Sequence, residues 1–239
     1  MAVVNVDVIE TLKRQLLRLD NLEEGADIGL RIVGRDWPKE AETMIGLKRM
    51  ENIQYCIEEI VKNNISGDLI ETGVWRGGAC IFMCGILKEY EIKDKKVYVA
   101  DSFKGFPLID NLRYNSDKGA AFLNEPILSV SRKEVEDNFE KYGMLDEQVE
   151  FVEGWFKDTL PKLKGPFALL RLDGDLFEST WDALVNLYSK LSVGGYIIID
   201  DYMDLEVCFN AVNIFRNKYN IIEKMVLIDN SGIYWKKER

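Results

Sequence analysis

The sequence predicts an α/β fold on a seven-stranded, mostly parallel sheet that ends in an antiparallel hairpin and is preceded by a helical N-terminal extension. Two observations carry this expectation. From Asp68 onward, short aliphatic and β-branched runs alternate with helix-length amphipathic segments. That alternation calls for crossover connections and a sheet covered on both faces. The last two runs, Glu223 to Ile228 and Gly232 to Trp235, are separated only by Asp229-Asn230-Ser231, a hairpin-length link.

Residues 1–66 are the expected extension. Ile9, Leu12, Leu16 and Leu19 recur at helical spacing and predict a helix over residues 5–20. Residues 21–45 carry Gly25, Gly29, Gly34 and Pro38 and read as a loop. A second helix is expected from Leu47 to Asn63, with Met50, Ile53, Ile57, Ile60 and Val61 on one face.

Residues 67–239 are the expected core. Leu69-Ile70-Glu71 is a short strand that runs into Gly73, Gly77 and Gly78, and Ala79 to Glu89 is a helix. Lys96 to Ala100 is the second strand, ending at Asp101, and residues 102–130 form a long irregular stretch, of which 103–130 is the expected lid. Ser131 and Glu134 have capping-box spacing and open a helix with Val135, Phe139 and Tyr142 inward. Gln148 to Val152 and Phe167 to Leu172 are the third and fourth strands, the latter ending at Asp173. A helix over residues 177–190 places Trp181, Leu184 and Tyr188 inward. Tyr196 to Ile199 is the fifth strand, followed by Asp200-Asp201 and a helix over about 205–219.

Composition excludes several function classes. The chain has 239 residues, with 31 Lys plus Arg against 41 Asp plus Glu, a formal charge of −10. Such a surface repels polyanions, so neither nucleic acid nor an anionic membrane is an expected partner. There is no histidine, which rules out a Ser-His-Asp triad, a histidine zinc site and an imidazole base. The four cysteines, Cys56, Cys80, Cys84 and Cys208, lie in apolar segments without a Cys-x-x-Cys, as expected of reduced thiols in the cytoplasm. Residues 1–20 mix charge throughout, so no signal peptide is expected, and no apolar run reaches 18 residues.

Ligands of an open parallel sheet bind beyond the carboxyl ends of its strands. Here those ends carry Glu71, Asp101, Asp173, Asp200 and Asp201. Like charges gathered on one rim call for a cation or a positively charged ligand. At the first strand end, Glu71-Thr-Gly73-Val-Trp-Arg-Gly77-Gly78 lacks the G-x-G-x-x-G of a dinucleotide site, and Trp75 stands where a pyrophosphate would need a glycine. The spacing suits S-adenosylmethionine, which has no phosphate to cradle. Asp101 can accept both ribose hydroxyls, of this cofactor or of NAD. Trp155, after Glu153-Gly154, offers a ring to an adenine or to the core. Asp173, Asp200 and Asp201 form an oxygen donor set for a hard divalent cation, Mg²⁺ or Mn²⁺, with Asp201 alternatively a helix cap. Arg171 predicts a buried ion pair, and Arg76 a structural pair with a carboxylate such as Glu71.

The strings Asp36-Trp-Pro, Glu42-Thr-Met-Ile-Gly46-Leu-Lys-Arg49, Glu71-Thr-Gly-Val-Trp-Arg-Gly-Gly78, Ala100-Asp-Ser-Phe-Lys-Gly-Phe-Pro107, Glu153-Gly-Trp-Phe-Lys-Asp-Thr-Leu-Pro161, Leu172-Asp-Gly-Asp-Leu-Phe-Glu-Ser-Thr180 and Gly194-Gly-Tyr-Ile-Ile-Ile-Asp-Asp-Tyr202 resemble the macrocin O-methyltransferase (TylF/MycF) family over residues 30 to 236. The chain departs from the pattern at Gly174 and Phe177, where relatives often carry Cys and Tyr. The resemblance implies a class I methyltransferase, Rossmann-like sheet and an S-adenosylmethionine- and Mg²⁺-dependent enzyme that methylates a sugar hydroxyl of a glycosylated natural product. It implies that Glu71, Gly73 and Asp173 line the cofactor pocket, that Asp101 holds the ribose, and that Ser102 and Trp155 adjoin the adenine. It implies further that Met44 lies in the segment closing over the methionine end, that Asp173, Asp200 and Asp201 bind the metal, and that Asp175 is the general base. Read without the resemblance, Asp175 could instead cap the helix beginning near Phe177. A catechol-like acceptor is the alternative substrate. A nucleoside-binding module without turnover and an NAD-dependent oxidoreductase are the competing classes. A homo-oligomer, dimer or tetramer, is expected.

Overall fold

The computed structural model describes residues 5–239. Its centre is a seven-stranded sheet of order β3-β2-β1-β4-β5-β7-β6. The strands are β1 (Asp68–Thr72), β2 (Val97–Asp101), β3 (Val149–Glu153), β4 (Phe167–Leu172), β5 (Leu191–Ile199), β6 (Val226–Leu227) and β7 (Ile233–Lys236). β1 to β5 pair in parallel, and β7 runs antiparallel to both β5 and β6. The chain builds outward from β1 to β3, then returns beside β1 with β4. The strand order therefore reverses between β1 and β4, where a crevice opens at the carboxyl ends.

Period-two alternation divides the core between the two faces. Leu69, Leu169 and Ile198 face a cluster with helices α1 (Val6–Leu16), α3 (Gly46–Lys62), α4 (Gly78–Glu89) and α5 (Arg132–Lys141). Ile70, Leu170 and Ile197 face a second cluster with α7 (Phe177–Leu187) and α8 (Glu206–Lys218). Every residue of β4 is buried, as a central parallel strand requires. α4 is buried from Gly78 through Leu87 because α1 and α3 cover its outer side, so the extension shares the sheet's own core.

The structure departs from the sequence expectations in three places. The 21–45 segment contains a short helix, α2 (Ile28–Val33). Asp27 caps it, accepting the amide N–H of Gly29 at 2.7 Å and of Leu30 at 3.1 Å, and Gly34 ends it with φ +65°. Two of the glycines that suggested a loop are thus one first-turn residue and one C-terminal cap. β5 begins at Leu191, not Tyr196, and carries Gly194-Gly195 within it at an irregular register with β4. The hairpin strand expected from Glu223 shrinks to Val226–Leu227, because the Glu223 carbonyl instead accepts Arg216 at 2.6 Å.

Candidate active site

The site is built at the strand reversal. The chain leaves β1 through Gly73, whose φ is +84° and where any Cβ would collide with the Asp173 carbonyl. Only glycine lets the two strand ends approach this closely. The Asp173 amide donates to the Thr72 carbonyl and the Gly73 amide to the Ala100 carbonyl, each at 2.9 Å, so β4, β1 and β2 are laced together at their exits. Gly78 opens α4 and donates to the Glu42 carbonyl at 2.9 Å, which seats residues 42–45 of the extension over the same crevice.

A cavity of about 620 Å³ occupies this crevice. Met44, Glu71, Gly73, Asp101, Ser102, Trp155, Asp173, Asp175, Asp200 and Asp201 all line it. All the expected site residues therefore meet in one space of the size that takes small ligands.

Their local roles differ. The Asp101 carboxylate accepts the amides of Val74 and Phe103, each at 2.8 Å, which holds the β1 and β2 exits around it. Burial pushes its pKa up against these hydrogen bonds. Ser102 donates to the Gly105 carbonyl at 2.8 Å and accepts from the Lys104 amide at 3.0 Å, forming a turn at the adjoining wall. Trp155 precedes α6 (Phe156–Thr159) and follows Gly154, whose φ is +135°. Glu71 is engaged within the protein: one oxygen meets Arg171 and the other accepts the Cys80 thiol at 2.8 Å.

Arg171 on β4 is the hub of the acidic side. It is fully buried, as the sequence predicted, and pairs with Glu71, Asp200 and, at 2.7 Å, Asp173. Beyond it, Asp173, Asp175 and Asp201 each bring a carboxylate oxygen within 4.8 Å of the others. Burial, then the charge of Asp200, pushes Asp173 up to about 8. Burial raises Asp175 as well. Burial and the neighbouring Asp175 and Asp200 raise Asp201. Asp201 Oδ2 is buried and has no partner among the described residues. Repulsion of this kind is relieved by protons or by a cation. Asp200 sits differently from the other expected ligands, since Arg171 takes one of its oxygens and Arg49 of α3 the other.

Neither alternative cap is present. α8 begins after Leu205 with no side-chain cap from Asp201, and α7 begins after Leu176 with none from Asp175. Asp175 instead adopts φ +57° and lines the cavity. Arg76 does not pair with Glu71. It donates to the carbonyls of Pro38, Lys39 and Ala41 and lies 3.2 Å from Glu134, bracing the extension. Glu134 is thereby drawn away from reciprocal capping, though the Ser131 hydroxyl accepts the Glu134 amide at 3.2 Å as expected. Trp75 lines the cavity, and its indole donates to the Ile127 carbonyl at 2.8 Å and holds the lid. Sequence reasoning missed Arg49, which also reaches the Gly34 carbonyl at 3.2 Å and Asp229 at 3.2 Å. Its signals were its place at the end of the Glu42–Arg49 string and a cation beside the apolar face of α3.

Comparison with known proteins identifies the chain's relatives. The family profile described as macrocin-O-methyltransferase (TylF) matches residues 4–237. The chain is 53% identical over 212 residues to demethyldecarbamoylnovobiocin O-methyltransferase of Streptomyces niveus, covering 88% of this chain and 81% of that one. It is 47% identical over 210 residues to mycinamicin III 3''-O-methyltransferase of Micromonospora griseorubida, covering 85% and 82%. The solved structure of the O-methyltransferase NovP superposes with a TM-score of 0.94 at 47% identity, covering 98% of this chain and 99% of that one.

Proposed function

The chain belongs to the macrocin O-methyltransferase (TylF) family and is a methyltransferase, and from that premise we propose that it transfers the methyl group of S-adenosylmethionine to a sugar hydroxyl of a glycosylated natural product, assisted by Mg²⁺ or Mn²⁺. The observation that carries this reading is the convergence of Asp173, Asp175 and Asp201 in the same cavity as Asp101 and Trp155. The relatives are named as O-methyltransferases of demethyldecarbamoylnovobiocin, of a rhamnosyl-tetracenomycin and of mycinamicin III, which supports the acceptor class.

S-adenosylmethionine would supply the methyl electrophile, and a divalent cation would lower the pKa of a ligated hydroxyl. The chain's own residues divide the remaining work. Asp101 accepts the ribose hydroxyls, Trp155 covers the adenine with Ser102 beside it, and Glu71 and Gly73 form the adjoining wall. The segment containing Met44 closes over the methionine end. Asp173 and Asp201 hold the cation, and the buried, unpartnered Asp201 Oδ2 fits such a role. Asp200 is the third ligand. A carboxylate offers about four lone-pair directions, so one arginine on each oxygen leaves it acceptor capacity. Asp175 takes the proton from the acceptor hydroxyl, which suits a chain with no histidine. Placement of the hydroxyl in line with the methyl group is chiefly an orientation task for these walls.

Residues 1–66 are proposed as the extension that closes the cofactor pocket, and 67–239 as the catalytic core with its lid at 103–130. The charge of −10 and the four buried free thiols support a cytoplasmic enzyme without nucleic-acid or membrane partners. No helix among the described residues is long and apolar enough to cross a membrane. Exposed Ile28, Leu30 and Val33 on α2 support a homo-oligomer.

The test is a screen with methyl-labelled S-adenosylmethionine against glycosides bearing free sugar hydroxyls and against catechols, with the methylated oxygen located by NMR. Label on a sugar oxygen supports the proposal. Label on catechols alone overturns the acceptor class.

A further inference from the structure

The helix that follows Asp175 is completed by the lid. The first turn of a helix leaves amide N–H groups without intrahelical partners, and a side chain at the cap position usually takes one of them. In α7 that position is Leu176, which offers no acceptor. Asp117, some sixty residues earlier in the lid and fully buried, does so instead. Its Oδ1 accepts the Phe177 amide at 2.7 Å and its Oδ2 the Glu178 amide at 3.0 Å.

Neighbouring contacts reinforce this joint. The Arg113 amide donates to Glu178 Oε2 at 2.8 Å, and its guanidinium pairs with Asp182 one turn further along α7. The Tyr114 ring lies 4.7 Å from that of Phe177. The far end of the lid is fixed separately, by the indole of Trp75 on Ile127. The lid residue Asn111 and the α7 residues Glu178 and Asp182 line the cavity together with Asp175.

Asp175 itself needs outside support. It is a non-glycine residue at φ +57°, two residues before α7, and such a backbone persists only where its surroundings hold it. A cap supplied by a neighbouring residue would have made the first turn independent of the lid. This chain has placed the cap in the lid.

Resting on the reading under Proposed function, we propose that Asp117 is a positioning residue that couples closure of the 103–130 lid to the placement of Asp175, with Arg113 as its second latch. When the lid undocks, the first turn of α7 loses its cap and the segment carrying Asp175 loosens. The proton acceptor is then in place only while the acceptor is covered, which keeps water from an open site.

The test uses the full chain as Asp117→Ala, Asp117→Asn and Arg113→Met beside the unsubstituted protein. Hydrogen exchange is followed in segments 112–128, 174–180 and, as a control, 97–101. Exchange should rise together in the first two segments and stay unchanged in the third. S-adenosylhomocysteine affinity should stay within about twofold, while kcat falls about tenfold or more. Asp117→Asn, which keeps one accepting oxygen, should recover part of the loss in kcat and in the protection of segment 174–180 together. If Asp117→Ala does not fold, Arg113→Met is decided on the same two segments. A lid that loosens while segment 174–180 exchanges as before overturns the coupling, as does an unchanged kcat. Failure of the methyltransferase reading looks different: the unsubstituted protein would not bind S-adenosylhomocysteine, whereas the exchange result is read without any ligand.

Discussion

Arg171 of β4 donates to Asp200, just past the end of the adjacent parallel strand β5, and both side chains are buried. The same guanidinium also meets Glu71 and Asp173, so one buried cation holds three carboxylates from three strand ends. It joins the wall expected to hold the cofactor to the residues expected to hold the metal.

Replacement of Arg171 by Met should therefore cost about 3–5 kcal/mol of stability, because it strands buried charges that Arg171 now pairs. Arg171→Lys should lose less, keeping the charge but not the forked geometry. Urea unfolding checks both. A midpoint for Arg171→Met within error of the parent's would show that the pairings are not what holds the strand ends.

Gly73→Ala should be among the most damaging small substitutions. The new methyl meets the Asp173 carbonyl, at a backbone angle that alanine rarely adopts, so a loss of about 2 kcal/mol or more is expected. The same collision displaces Asp173, so affinity for Mn²⁺ should fall with stability. Paramagnetic titration reads the second effect, and unaltered Mn²⁺ binding would separate Gly73 from the acidic cluster.

Asp101→Ala should weaken S-adenosylhomocysteine binding about tenfold or more, since hydrogen bonds to a charged group contribute roughly 1.5–3 kcal/mol. The amides of Val74 and Phe103 lose their acceptor at the same time, so a modest fall in melting temperature should accompany it. Isothermal titration of the folded variant decides. A dissociation constant equal to the parent's would remove Asp101 from the cofactor site.

The structure sharpens what Asp175→Asn should do. Asp117 caps α7, so loss of the Asp175 charge should not lower the melting temperature as loss of a cap would. The variant should bind S-adenosylhomocysteine normally and lose about 10²-fold or more in kcat. Near-normal turnover in single-turnover kinetics would assign the proton to another acceptor.

The fold and the site were legible to different depths. β4 could be read because its run is apolar on both faces and ends at Asp173, and the carboxylates at the strand ends marked the crevice because acidic residues suit that position and not a strand. Helix α2 was hidden because it buries Arg31 while leaving Ile28, Leu30 and Val33 exposed, which inverts the usual apolar stripe. The roles of Arg49 and Asp117 were hidden for another reason. Arg49 meets Asp200 across 151 residues, and Asp117 meets Phe177 across 60. No local spacing encodes such contacts. Sequence reading found the carboxylates at the strand ends and the buried Arg171 that ties them, and missed Arg49 and Asp117, which brace them from distant parts of the chain.

Dependence of methyl transfer on a divalent cation tests the account most directly. Label from S-adenosylmethionine should reach a sugar hydroxyl in Mg²⁺ or Mn²⁺, stop in excess EDTA and resume when the cation is restored. Asp201→Asn should need a much higher cation concentration for the same rate. Full transfer in excess EDTA, by protein that metal analysis finds free of divalent ions, would contradict the role assigned to Asp173, Asp200 and Asp201.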